Sequence, residues 1–144
     1  MSELYEKSLL KLELDRVLEQ LAERAGSELG KIACRNLRPT SDLEEVQALL
    51  DQTSAACDRS TKKGYPHFYE AQDVSFSLER ADRGGALNPK ELLRIAGVLR
   101  CARTVKGYTA EDEAATVLDG MFMSLTPNKY LEDKIFGAIL SEEE

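Results

Sequence analysis

The most constraining feature of this chain is a short stretch, "RADRGGALNPKEL", between two segments whose apolar residues recur at helical spacing. Gly84 and Gly85 follow a charged run. Asn88 and Pro89 then precede Leu92, Ile95, Ala96 and Leu99, which share one face of a helix. Glycine tolerates the left-handed backbone that ends a helix. Asparagine is a good N-cap, proline suits the first helical position, and Glu91 completes a capping pair with Asn88. The pattern predicts a helix–joint–helix unit built on Gly84, Gly85, Asn88 and Pro89.

A glycine pair also raises the question of a phosphate loop. A Walker loop needs Gly-Lys-Ser/Thr opening a helix after a strand, and a dinucleotide loop needs GxGxxG. The chain contains neither. The glycines therefore read as a joint, and no cofactor site is expected in this segment.

The same punctuation recurs along the chain. "LLKLELDRVLEQLAERAG" places Leu14, Val17, Leu18, Leu21 and Ala25 on one face, with Gly26 as a stop. Ser27 is positioned to cap "ELGKIACRNL", with Leu29, Ile32, Ala33 and Leu37 inward and Pro39 ending it. Ser41 and Glu44 form a capping box ahead of Leu43, Val46, Leu50 and Cys57, and Gly64 and Pro66 close that run.

"GYPHFYEAQD" is irregular and aromatic and reads as a loop. "DVSFSLERADRG" fits either a strand or a helix capped by Asp73. A lone strand has no pairing partner, so helix is favoured. Gly107 is expected to stop the helix that begins at Pro89. Thr109 is expected to cap a further helix burying Ala114, Val117, Leu118 and Met121. Thr126 and Pro127 are expected to open the last, with Leu131, Ile135 and Ile139 inward. The expected fold is an all-α bundle or array of about seven helices in one domain, with no sheet. The chain is 144 residues long, 42% apolar and 31% charged, and it lacks Trp, in keeping with a soluble helical domain.

Charge narrows the function classes. A net charge of −7 is the wrong sign for a domain that grips nucleic acid alone. Lys62 and Lys63 are the one basic pair that suggests a weak nucleic-acid contact, although cations at a helix C-terminus explain them as well. Arg94, Arg100, Arg103 and Lys106 share a segment but form no single stripe. Arg94 and Arg100 fall about 120° apart on a helix.

His67, Glu70 and Asp73 are spaced by three, as helix-borne metal ligands would be. Pro66 argues against a helix there, and a metal site needs about four ligands. With one histidine and no nucleophile motif, a catalytic triad is not supported. The acidic runs at 111–113 and 142–144 suit a helix start and a solvated end better than opposed catalytic carboxyls. Cys34, Cys57 and Cys101 form no CxxC pair and read as free thiols. The opening "MSELYEKSLLKLELD" is charged, unlike a secretory leader, and no apolar run reaches the ~20 residues of a membrane span. A cytoplasmic setting is expected. The close in "SEEE", directly after an amphipathic segment, suggests a piece cut from something longer.

The order of segments is similar to that of the N-terminal region of the MutS-two family, bacterial MutS-like proteins. The matching elements are "LELDRVLEQLAERAGSELGKIACRNLRP", "DLEEVQALLDQTSAACD", "DVSFSLERADRGGALNPKELLRIAGVLRCARTVKGY" and "LEDKIFGAIL". Arg80, Ala81, Gly84, Gly85, Leu87, Pro89, Glu91 and Leu92 carry the most specific part. The chain departs from the family at Phe68 and Tyr69, where a small, glycine-containing segment is usual. The resemblance implies the start of a helical core and lever region over residues 1–144. In the parent it implies a coiled clamp, an ATPase domain using ATP and Mg, and often a nuclease domain. It further implies homodimers formed through the ATPase part, action on branched or recombination DNA in suppressing recombination, and in some bacteria the splitting of collided ribosomes. None of the ATPase or nuclease motifs maps onto these residues, so the resemblance implies no catalytic, cofactor or metal residue here. The competing reading is a stand-alone helical module that docks a partner.

Overall fold

The computed structural model describes residues 3–108 and 115–139. Every regular element among them is helical, eight helices where about seven were expected. The chain divides into two compact units, Met1–Pro39 and Thr40–Glu144.

The first unit holds α1 (Glu3–Lys11), α2 (Leu14–Glu23) and α3 (Glu28–Arg35). The run from Leu9 to Gly26, expected as one segment, breaks at Glu13, whose φ of 54° lies in the left-handed region. The second helix ends at Glu23, ahead of Gly26. Leu18 and Ala22 are buried, whereas Val17 and Leu21, also expected inward, are exposed. The buried row is the i, i+4 row, because α2 packs along that row with α3. Ser27 caps α3 by accepting a hydrogen bond from the Gly30 N–H at 3.0 Å. Leu29, Ile32 and Leu37 on and after α3 remain exposed, contrary to the inward stripe expected of them.

The second unit begins with α4 (Leu43–Lys63). Its cap is Asp42, which accepts from the Glu45 N–H at 2.9 Å, rather than the Ser41–Glu44 box. Glu45 reaches back to Thr40, whose hydroxyl donates to its carboxylate at 2.7 Å, so the box is shifted by one residue. Gly64 ends the helix at φ 77°. The apolar row on α4 is not core: Leu43 is 80% exposed, and Leu50 and Cys57 are exposed too. Among the described residues, the only side chain of α4 that is buried is Arg59.

The loop at 64–74 leads to α5 (Ser75–Asp82), which resolves the strand–helix ambiguity in favour of helix. Leu78 and Ala81 are exposed there, and Val74 is half-buried. The spine of the unit is α6 (Pro89–Tyr108), which runs through Gly107 instead of stopping at it. It buries Ile95, Ala96, Cys101 and Val105, while Leu92 and Leu99 are half-buried beside them.

The expected cap Thr109 and the inward Ala114 lie outside the described residues. The next described helix is short, α7 (Asp119–Met123). Leu118 is buried just before it, but Val117 and Met121 are exposed. The last helix is α8 (Lys129–Ala138), capped by Asn128 and not by Thr126. Asn128 Oδ1 accepts from the Leu131 N–H at 3.0 Å. Ile135 is buried against Ile95 and Ala96, Phe136 and Ile139 pack beside it, and Leu131 is exposed. Burying Ile95 and Ile135 contributes about 1.5–3 kcal/mol each.

Candidate functional site

The joint between α5 and α6 is built from local bonds. Gly84 has φ 81°, and its N–H donates to Ala81 O at 2.9 Å. The Gly85 N–H donates to Arg80 O at 2.8 Å. These two bonds form a Schellman motif, which satisfies the last carbonyls of α5. A Cβ on Gly85 would meet Arg80 Cγ at 2.7 Å and Arg80 O at 2.9 Å, so the close approach requires glycine.

Across the joint, Asn88 and Glu91 form a reciprocal capping box. The Glu91 N–H donates to Asn88 Oδ1 and the Asn88 N–H donates to Glu91 Oε2, both at 2.9 Å. Glu91 also accepts from Arg80 and, at 3.2 Å, from the Ser77 hydroxyl. The Asn88 N–H, with the Arg80 and Ser77 donors behind it, holds the Glu91 carboxyl below its ordinary range. Arg80 Nη2 additionally donates to Ala86 O at 3.1 Å. Arg80 Nη2, Ser77 and the Asn88 N–H are thus taken up by the joint's own acceptors, while the buried Arg80 Nε has no hydrogen-bond partner among the described residues.

Three long-range ties fasten the rest of the second unit. Arg103 of α6 grips Glu132 of α8 with both arms, Nε to Oε2 at 2.9 Å and Nη2 to Oε1 at 2.7 Å. That bidentate bond holds the Glu132 carboxyl low and the Arg103 guanidinium high. Arg100 binds Glu70 of the loop, Nε to Oε2 at 2.9 Å, and its guanidinium lies 4.5 Å from the centre of the Phe136 ring. Arg59 of α4 donates to Asp119 Oδ1 at 2.9 Å and lies 5.1 Å from the centre of the Phe122 ring. The Thr116 N–H, and behind it Arg59, hold the Asp119 carboxyl low. Tyr108 Oη adds a bond to Gly64 O at 2.7 Å.

These ties explain the cations of α6. Arg100 and Arg103 serve carboxylates, and Lys106 donates to Leu125 O at 2.8 Å. Arg94 is exposed. The His67, Glu70 and Asp73 trio is not assembled. Glu70 turns to Arg100, Asp73 accepts from the Ser75 N–H at 2.9 Å, and His67 is exposed beside Tyr69. No group of three or more metal-ligating side chains exists among the described residues. Lys62 and Lys63 sit exposed in the last turn of α4, where Lys63 Nζ donates to Tyr108 O at 3.4 Å. The acidic runs at 111–113 and 142–144 fall outside the described residues.

Sequence reasoning found the joint but not the ties. Their partners lie 29, 30 and 60 positions apart, and nothing in local spacing marks them. In the first unit a similar bond joins Arg35 to Glu19, Nε to Oε2 at 2.8 Å, at the edge of a cleft of about 260 Å³.

The helices define an all-α segment whose second unit is fastened by arginine–carboxylate pairs. No helix among the described residues is long and apolar enough to cross a membrane. Its relatives are specific. No family model matches the chain. It is 39% identical over 142 residues to Endonuclease MutS2 of Ruminiclostridium cellulolyticum, and 36% over 143 residues to Endonuclease MutS2 of Acetivibrio thermocellus. It is 34% identical over 142 residues to Endonuclease MutS2 of Clostridium acetobutylicum. Each alignment covers 96% of this chain but 18% of the relative. The resemblance to the MutS-two family thus extends over nearly the whole chain, which is homologous to one segment of those proteins.

Proposed function

We propose that this chain is a non-catalytic helical support segment of a MutS-like DNA-binding ATPase. Its packed helices pass nucleotide-driven movement of the ATPase heads to the clamp that encloses DNA. The observation that carries this reading is α6, a 20-residue helix whose Arg100 and Arg103 are tied to Glu70 and Glu132 on neighbouring elements. A spine fastened along its length moves as one piece. In this reading ATP, Mg, any nuclease activity and the homodimer contact belong to other parts of a longer cytoplasmic protein. Its targets are branched DNA in recombination control or collided ribosomes. The names of the relatives support an endonuclease parent.

Alone, the chain is expected to hydrolyse no ATP, to cut no DNA and to bind duplex DNA weakly. Robust duplex affinity that vanishes with salt would overturn the reading, because a chain of net charge −7 lacks the basic surface for it.

The exposed row Leu43, Leu50 and Cys57 on α4 favours a second reading, a stand-alone module that docks a partner helix. A Gly-Lys-Ser/Thr loop further along the natural polypeptide would decide for the first.

A further inference from the structure

The loop between α4 and α5 combines a fastened backbone with outward aromatic side chains. Its backbone is pinned at Gly64 O by Tyr108 Oη and at His67 O by the Cys101 thiol at 3.5 Å. Further on, Glu70 is held by Arg100. Between these anchors Tyr65 is 84% exposed and Tyr69 67% exposed, and His67 and Phe68 are also exposed. The His67 and Tyr69 rings meet edge to face at 6.3 Å. Lys62 and Lys63 end the helix immediately before the loop.

Four planar rings on an anchored loop offer faces on which a planar partner can stack. A single-stranded nucleic acid presents the π faces of its bases and a phosphate backbone, which two adjacent lysines attract. Of the two nearest acids beyond Tyr69, Glu70 is paired with Arg100, and Asp73 turns to the Ser75 N–H.

We propose that the segment from Lys62 to Tyr69 is a contact for the unpaired bases of a single-stranded nucleic acid. Stacking on Tyr65 and Tyr69 supplies most of the affinity, and Lys62 and Lys63 supply the phosphate contacts. This deepens the support-segment reading by giving the segment its own touch on the nucleic acid. It stands or falls separately, because ATPase coupling in a parent protein does not depend on it.

The test is titration of the 144-residue chain with a 15-nucleotide oligothymidylate and a 15-nucleotide oligouridylate, with a 15-base-pair duplex as control. The chain has no Trp and five Tyr, of which Tyr65 and Tyr69 lie in the segment, so partial quenching of tyrosine emission that is lost in the Tyr65 and Tyr69 variants reports stacking there. The expected result is quenching by at least one single strand and weaker binding of the duplex. A preference between the two strands tells DNA from RNA. Tyr65→Ala and Tyr69→Ala should each weaken binding about 5-fold or more. The slope of log affinity against log salt should be near −1.4 for two phosphates, flattening in the Lys62→Gln/Lys63→Gln double variant. These side chains are exposed, so far-UV circular dichroism should match the parent in every variant. No quenching by either strand, equal or tighter duplex binding, or unchanged affinity in both tyrosine variants would each overturn the proposal.

Discussion

Arg103 and Glu132 are joined by two hydrogen bonds of 2.9 and 2.7 Å, with the Glu132 side chain 5% exposed and the Arg103 side chain 40% exposed. The carboxylate is desolvated while the guanidinium keeps one edge in water. This asymmetry sets what breaking the tie costs. Removing one partner of a fully buried pair costs ~3–5 kcal/mol. Here Arg103 can rehydrate, so Glu132→Gln should cost about 1–2 kcal/mol. The check is the urea midpoint of the variant against the parent at neutral pH.

The pH dependence follows from the same carboxylate. Its proton affinity is lowered from an ordinary value of 4.5, chiefly by the hydrogen bonds from Arg103. A depressed folded-state value means the unfolded chain binds the proton more readily. The resulting stability is fully present above 4.5 and is lost as pH falls through the folded value. Glu91 and Asp119 shift in the same direction. Thermal midpoints should therefore be flat from about pH 6 to about pH 8 and fall below about pH 4.5. Glu132→Gln should show a shallower acid limb.

The glycines of the joint and of the spine should respond oppositely to alanine. Gly85→Ala drives a Cβ to 2.9 Å from backbone oxygen, and Gly84→Ala places one on a φ of 81°. Each should cost about 1–2 kcal/mol. At Gly97 an added Cβ meets Glu70 at 3.6 Å, ordinary contact, and relieves the low helix propensity of glycine. Gly97→Ala should be neutral or stabilising by up to about 1 kcal/mol. Thermal unfolding of the three variants checks the contrast.

Core and stripe should separate cleanly in truncation. Ile95 is buried against Ile135, so Ile95→Ala should cost about 2–4 kcal/mol. Leu43 has the same helical spacing logic but projects into solvent, and Leu43→Ala should stay within about 0.5 kcal/mol. Chemical denaturation of both variants distinguishes a packed stripe from an open one.

Thiol reactivity should rank Cys57 first, Cys34 second and Cys101 last. Cys57 is exposed, Cys34 half-buried and Cys101 buried. Burial pushes the Cys101 thiol above its ordinary range and depletes the reactive thiolate. Timed labelling with a disulfide reagent, read by peptide mass, gives the order.

Particular residues show where reading the sequence succeeded and where it did not. Ser27 and the Asn88–Glu91 box act in the structure as their spacing predicts, because each bond spans three residues. The neighbouring caps slipped. Asp42 took the place of Ser41, and Asn128 that of Thr126, since nearby residues of similar capping ability compete and chain geometry picks one. Val17, Leu21, Leu43 and Leu50 fit an inward helical face equally well on paper, yet they are exposed. Periodicity marks a face without saying whether anything covers it.

The sequence by itself determined that this chain is helical and where the α5–α6 joint falls. Those outcomes rest on glycine's backbone freedom and on bonds within a few residues. Only the tertiary structure decided that Arg59, Arg100 and Arg103 would face Asp119, Glu70 and Glu132. A charged side chain looks the same in sequence whether solvent or a distant carboxylate receives it, and the choice is made when the helices pack.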